Sequence, residues 1–140
     1  MTIVVIDAQG GGIGKQLVAA IKKEIQSPDV EVLAVGTNSL ATSAMLKAGA
    51  DHGATGENAV KVGCRRADLI VGPVGIAIAD ALWGEITPAM ALAVGQSAAR
   101  RLLLPMNHCE NIVVGVRDLN LSALVQEAVE CAQEFARETG

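Results

Sequence analysis

Residues 2–16 constrain the fold more tightly than any other segment. Thr2-Ile-Val-Val-Ile-Asp7 is a short β-branched run of the kind that forms a buried strand. It passes without a spacer into Ala8-Gln9-Gly10-Gly11-Gly12-Ile13-Gly14-Lys15-Gln16, after which Ile13, Leu17, Val18, Ile21 and Ile25 recur at helical spacing. A strand, a glycine loop and a helix in immediate succession open a βαβ unit, whose second strand lies parallel to the first.

The rest of the chain repeats that alternation. Ser27-Pro28-Asp29 breaks the first helix, and Val30 to Val35 is a second apolar strand. Ser39 is placed to cap a helix running to about Ala48, which Gly49 closes. A short strand is predicted at His52 to Thr55, a helix from Glu57 to Arg66, and a buried strand from Asp68 to Gly72. Gly75 to Trp83 and Pro88 to Ala99 read as helices that are apolar nearly all round, as buried or dimerising helices are. Arg101 to Leu104 and Asn111 to Val116 read as two strands on a connection short enough to require an antiparallel pair. An amphipathic helix then begins near Ser122 with Glu127, Glu130, Glu134 and Glu138 on its wet side. The predicted class is α/β: a Rossmann-like, doubly wound, mostly parallel sheet with a C-terminal antiparallel hairpin and helix. No repeat or linker divides the 140 residues, so one such domain is expected over 1–140.

In sheets of this kind ligands bind beyond the carboxyl ends of the strands, where strand order reverses. The loop Gly10, Gly11, Gly12, Ile13, Gly14, Lys15 follows the first strand and opens a helix. Backbone amides without Cβ cover and a positive helix terminus suit a phosphate there, with Lys15 as its cation. The same glycines also suit a sharp turn and a helix packed closely on the sheet. Gly12-Ile13-Gly14 matches the end of a dinucleotide fingerprint, with Ala8 where its first glycine belongs; Gly14-Lys15 matches a P-loop, with Gln16 where the magnesium-binding hydroxyl belongs. Phosphoryl transfer is thereby disfavoured. Asp7 beside an anion site is expected to hydrogen-bond loop amides.

Roughly twenty residues on, where a dinucleotide fold places an acid for the ribose, the second strand ends in Gly36-Thr37-Asn38-Ser39 and offers none. Thr37, Asn38 and Ser39 are candidates for the ribose end, and small polar groups there would also accept a 2′-phosphate. Gly72, Pro73 and Gly75 end the fourth strand and would form the opposite wall of the crevice in a 3-2-1-4-5 strand order. Asn107-His108-Cys109 sets an imidazole beside a thiol, though sequence neighbours rarely face each other and a dyad would call on His52 instead. Cys64 precedes Arg65 and Arg66, which can lower a thiol pKa or serve a helix C-terminus.

Composition removes other classes. With 11 basic and 15 acidic residues, a net charge of −4 and no basic run longer than a doublet, nucleic-acid binding is disfavoured. Trp83 and Phe135 are the aromatic residues, which leaves little for base stacking. Three cysteines without a CxxC pair and an N-terminus without a basic n-region point to the cytoplasm, and their spacing with two histidines makes no metal site. Pro73, Asp80, Glu85 and Pro88 divide the most apolar stretch below the roughly 18 residues of a membrane span.

IVVIDAQGGGIGKQL, AVGTNSLATSAMLKAGAD, GATGENAV, ADLIVGPVGIAIADALWGEITPAMA and NIVVGVRDL together cover nearly the whole chain. On these segments it resembles a family of small bacterial proteins known as a domain of unknown function. The resemblance implies a Rossmann-like fold and names no reaction. From the residues, the leading expectation is a nucleotide or dinucleotide, such as NAD or NADP, bound on the Gly10–Lys15 loop of a homo-oligomer joined through the 75–99 helices. The alternatives are a non-catalytic sensor or assembly module, and a small NAD(P)-dependent oxidoreductase that uses Cys109, His108 or Glu85 in a site shared between subunits.

Overall fold

The computed structural model describes residues 1–106, 111–116 and 120–139. In chain order the elements are β1 (Thr2–Asp7), α1 (Gly12–Glu24), β2 (Glu31–Gly36), α2 (Ser39–Lys47), β3 (His52–Thr55), α3 (Glu57–Arg66), β4 (Leu69–Pro73), a 3-10 turn (Val74–Ala77), α4 (Pro88–Gln96), β5 (Arg100–Leu104) and α5 (Leu121–Thr139). Among the described residues the five strands form one sheet in the order β3-β2-β1-β4-β5, every pair parallel. Strand order reverses at β1, so a crevice is expected above the carboxyl ends of β1, β2 and β4.

Residue alternation in β1 explains the double winding. Ile3 and Val5 enter one core with Leu17, Val18 and Ile21 of α1, Met45 of α2 and Val125 and Val129 of α5. Val4 and Ile6 point the other way, toward Val60 and Cys64 of α3 and Met90 and Val94 of α4. A strand buried on both faces is continuous in apolar residues, as this one is. Each fully buried Leu or Ile in these layers contributes about 1.5–3 kcal/mol of transfer free energy. Among the described residues no helix is long and apolar enough to cross a membrane.

Three sequence expectations are corrected. Asn111 to Val116 is not a strand, so the antiparallel hairpin is absent from the described sheet. Its branched residues have strand propensity, but Gly115 takes φ +90° in a turn closed by the Val116 N–H on the Val113 carbonyl, which a ladder cannot pass through. Ile112 and Val114 are left more than nine-tenths exposed. Gly75 to Trp83 is not a helix either: after the 3-10 turn, Asp80, Leu82, Trp83 and Gly84 all take left-handed φ between 57° and 83°. The chain doubles back so that Ile76 and Ile86 enter the same core, and Gly75 packs against Leu82, whose Cγ would lie 3.2 Å from an added Cβ. Tertiary burial overrides helix propensity here. Finally, α4 stops at Gln96 rather than Ala99, because Ser97 bonds the Cys64 carbonyl at 2.7 Å and accepts from the Ala99 N–H at 3.1 Å.

Candidate functional site

The glycine loop crosses the carboxyl end of β1, and its glycines divide into two kinds. Gly11 needs its left-handed φ of +73°, and a Cβ there would lie 2.9 Å from Ala41 Cα. Gly14 is buried, with a Cβ position 2.6 Å from Met45 Sδ and 2.9 Å from Asp7 Cβ. These two are required by the turn and by the packing of α1. Gly10 and Gly12 are exposed, lie outside the left-handed region, and would meet nothing within 4 Å on gaining a Cβ. Their N–H groups have no acceptor among the described residues. Lys15, on the first turn of α1, is exposed.

The cap of α1 comes from the strand before it. Asp7 is buried beneath the loop, where its carboxylate accepts the Ala8 N–H at 2.8 Å and the Gly14 N–H at 2.7 Å. Burial pushes its carboxyl above the usual range against the opposing pull of the Gly14, Ala8 and Ile13 amides, and the negative charge of Glu85 pushes the same way. Asp7 is therefore the organiser of the loop, as expected of a carboxylate in this place.

At the carboxyl end of β2, Thr37, Asn38 and Ser39 come together beside that loop. Asn38, not Ser39, caps α2: its Oδ1 accepts the Ala41 N–H at 2.9 Å because its own backbone is extended where Ser39 is already helical. Its Nδ2 donates to the Gln9 carbonyl at 2.9 Å and to Glu85 at 2.8 Å. Ser39 is exposed on the first turn of the helix.

Glu85 reaches into this corner from the turn that follows β4, a placement that sequence reasoning missed. One carboxylate oxygen, Oε1, accepts from Thr37 Oγ1 at 2.7 Å, Asn38 Nδ2 at 2.8 Å and the Gln9 N–H at 3.0 Å. Burial raises its pKa, but the hydrogen bonds from Thr37, Gln9 and Asn38 together take it below the ordinary glutamate value, so it is a carboxylate at neutral pH. The signal was in the sequence: an ionisable side chain inside the most apolar stretch needs partners if it is not solvated. Next to it, Thr87 Oγ1 donates to Glu57 Oε2 at 2.7 Å, which joins the start of α3 to the start of α4.

Gly72, Pro73 and Gly75, expected as the opposite wall, are buried. A Cβ on Gly72 would lie 2.5 Å from the Ile6 carbonyl oxygen, so that glycine serves the close approach of β4 to β1. Gly75 likewise packs closely, with an added Cβ 3.2 Å from Leu82 Cγ. His108 and Cys109 lie outside the described residues. His52 starts β3, at the far end of the sheet, within 3.6 Å of Glu31. Cys64 is buried, and desolvation pushes its thiol up to about 11 despite the Arg101 charge, so it is unsuited to nucleophilic work. Among the described residues no cluster of His, Cys, Asp and Glu could hold a metal ion. The carboxyl ends of β1 and β2 thus bring together the exposed Gly10 and Gly12 amides, Lys15, and an anchored carboxylate that holds the Gln9 N–H next to Gly10.

Comparison with known proteins adds the following. No curated protein matches the chain. Among solved structures it is similar to a dodecameric FMN-dependent UbiX-like decarboxylase from Escherichia coli O157:H7, at 17% identity over 97% of this chain and 94% of that one. The TM-score is 0.46, too low to carry an assignment. The family model described as "Domain of unknown function (DUF3842)" matches residues 2–137, and the chain belongs to that family.

Proposed function

We propose that this protein binds a nucleotide across the carboxyl ends of β1 and β2. Its phosphate would rest on the Gly10 and Gly12 amides at the positive end of α1, with Lys15 as counter-charge, and its sugar would lie toward Thr37, Asn38 and Glu85. The observation that carries this reading is the pair Gly10 and Gly12: neither backbone conformation nor packing calls for glycine there, and both N–H groups are free among the described residues. A ligand approaching the backbone does call for it. A dinucleotide such as NAD is the candidate ligand, in a cytoplasmic setting.

The test is thermal unfolding at fixed protein concentration with NAD, NADP, their reduced forms, ATP, GTP, FMN, FAD and coenzyme A. Ligand at a hundred times its Kd adds about 2.7 kcal/mol, which appears as a raised midpoint. The expected result is a selective shift that Gly12→Ala abolishes while the unliganded midpoint is held or raised. A flat panel overturns the reading.

A second reading has its own support. Trp83 is 94% exposed and Leu92 57% exposed on the segment expected to join subunits, as the working surface of an assembly module would be. The two readings use different residues of the 75–99 segment, Glu85 in one and Trp83 and Leu92 in the other, and are compatible.

A further inference from the structure

A dinucleotide fold reads the ribose with an acid at the end of its second strand, roughly twenty residues after the glycine loop. This chain has Gly36-Thr37-Asn38-Ser39 there and no acid. Its structure delivers one to the same place from a different element. Glu85 stands 47 and 48 residues beyond Asn38 and Thr37 in sequence, yet its Oε1 touches the side chains of both and the backbone of Gln9.

The two oxygens of that carboxylate are in different states. Oε1 accepts three hydrogen bonds and is fixed by them. Oε2 has no donor among the described residues, and the side chain is only half buried. An ionised carboxylate held by one oxygen and open at the other is a preorganised acceptor for a hydroxyl, with its orientation already set before any ligand arrives.

The turn that supplies Glu85 is built for placement rather than for ease. Asp80, Leu82 and Trp83 are non-glycine residues at φ 65°, 57° and 59°. They are held there by the Asp80 N–H on the Ile86 carbonyl at 2.7 Å, by the Ile86 N–H on the Ala81 carbonyl, and by burial of Ile86 itself. Such conformations persist only where the surroundings over-determine them, and here the result is a carboxylate set over the end of β2.

Charge decides which ligand end fits. None of the donors around Oε1 is cationic, and all three are engaged by Glu85 itself. Buried Asp7 lies close enough for the two carboxyl groups to feel each other. A phosphate placed against Oε2 meets repulsion, and among the described residues no arginine or lysine pairs with Glu85 to offset it, whereas a sugar diol donates into it. We propose that Glu85 is the ribose-reading residue of this crevice, a specificity determinant that selects nucleotides with a free 2′,3′-diol and excludes 2′-phosphorylated ones. The inference rests on the nucleotide reading above. It reverses the sequence expectation that the Thr37–Ser39 corner would accept a 2′-phosphate.

Calorimetric titration with NAD and NADP, and with ATP and 2′-deoxy-ATP, tests it on the unmodified protein and on Glu85→Gln. Loss of a hydrogen bond to a charged acceptor corresponds to roughly a 10- to 100-fold loss in affinity. The unmodified protein is expected to bind NAD by at least that factor over NADP, and ATP by about tenfold over its 2′-deoxy form. Glutamine keeps an acceptor for Thr37, Asn38 and Gln9 but removes the charge, so NAD binding should weaken and the NAD/NADP gap should close. The ATP pair needs no variant and stands even if Glu85→Gln folds poorly. Equal affinity for ATP and 2′-deoxy-ATP, or an NAD/NADP ratio unmoved by Glu85→Gln while Gly12→Ala abolishes binding of both, overturns the role of Glu85 and leaves the nucleotide site in place. Tighter NAD binding by Glu85→Gln also overturns it, since Glu85 would then be occupying the ligand's position. No binding of any of the four overturns both readings together.

Discussion

Two glycines two residues apart, Gly12 and Gly14, do unrelated work, and the difference is measurable. At Gly14 a methyl group would lie 2.6 Å from Met45 Sδ and 2.9 Å from Asp7 Cβ, and Asp7 is held by the Gly14 and Ala8 amides. Asp7 cannot retreat without disturbing the cap of α1, and Met45 is fully buried in the core. Gly14→Ala should therefore destabilise the protein by about 1–3 kcal/mol, the usual consequence of overpacking, seen as a lower urea midpoint. At Gly12 the same change meets open space and restricts the unfolded chain, so it should stabilise by about 0.5 kcal/mol. If the two substitutions proved equally damaging, the division of the loop into architectural and exposed glycines would be wrong. From sequence alone all four glycines of residues 10–14 read as one group, a phosphate loop or a packing turn, because motif spacing cannot show which Cβ position is filled. Asp7 was legible for a local reason: its partners lie one and seven residues away.

Among the elements, those governed by local pattern were legible and those governed by distant partners were not. α3 runs from Glu57 to Arg66 as its spacing predicts, and β3 from His52 to Thr55. The parallel sheet follows from alternating strands and helices, and the observed order β3-β2-β1-β4-β5 is one of the two common doubly wound arrangements that such alternation allows. The segment between β4 and α4 follows instead from burying Ile76 and Ile86 together and from the contacts of Glu85 with residues 47 to 76 positions away. No local window contains that information. The same distinction predicts how two helix caps will behave. Thr87 caps α4 by accepting the Met90 N–H at 3.1 Å and makes one exposed hydrogen bond to Glu57, so Thr87→Ala should remove about 1–2 kcal/mol. Asn38 caps α2 and also ties Gln9 and Glu85, so Asn38→Ala should remove more than Thr87→Ala in the same urea titration. Equal losses would mean that the three-loop junction at Glu85 adds no more to stability than the exposed Thr87–Glu57 hydrogen bond.

On the scale of the whole molecule, the turn carrying Glu85 also carries Trp83, so the proposed binding and the proposed assembly would share one element. α4 buries Met90 and Val94 against the sheet and leaves Leu92 out, while Trp83 stands 94% exposed two residues before Glu85. If the 75–99 face joins subunits, the turn at 78–87 is fixed from outside by the partner and from inside by the nucleotide. Reciprocity then requires that a nucleotide which orders the turn strengthens association by the same factor by which association strengthens nucleotide binding. Sedimentation velocity over a range of protein concentrations should show a monomer–oligomer equilibrium, moved toward the monomer by Trp83→Ser with Leu92→Ser and toward the oligomer by NAD. Trp83 is the one tryptophan in a chain with no tyrosine, so its emission reports the same event directly. Association that weakens with the two serines but ignores NAD would mean that the faces act independently. A monomer at every concentration would remove the subunit interface and leave the exposed tryptophan beside a site that works within a single chain.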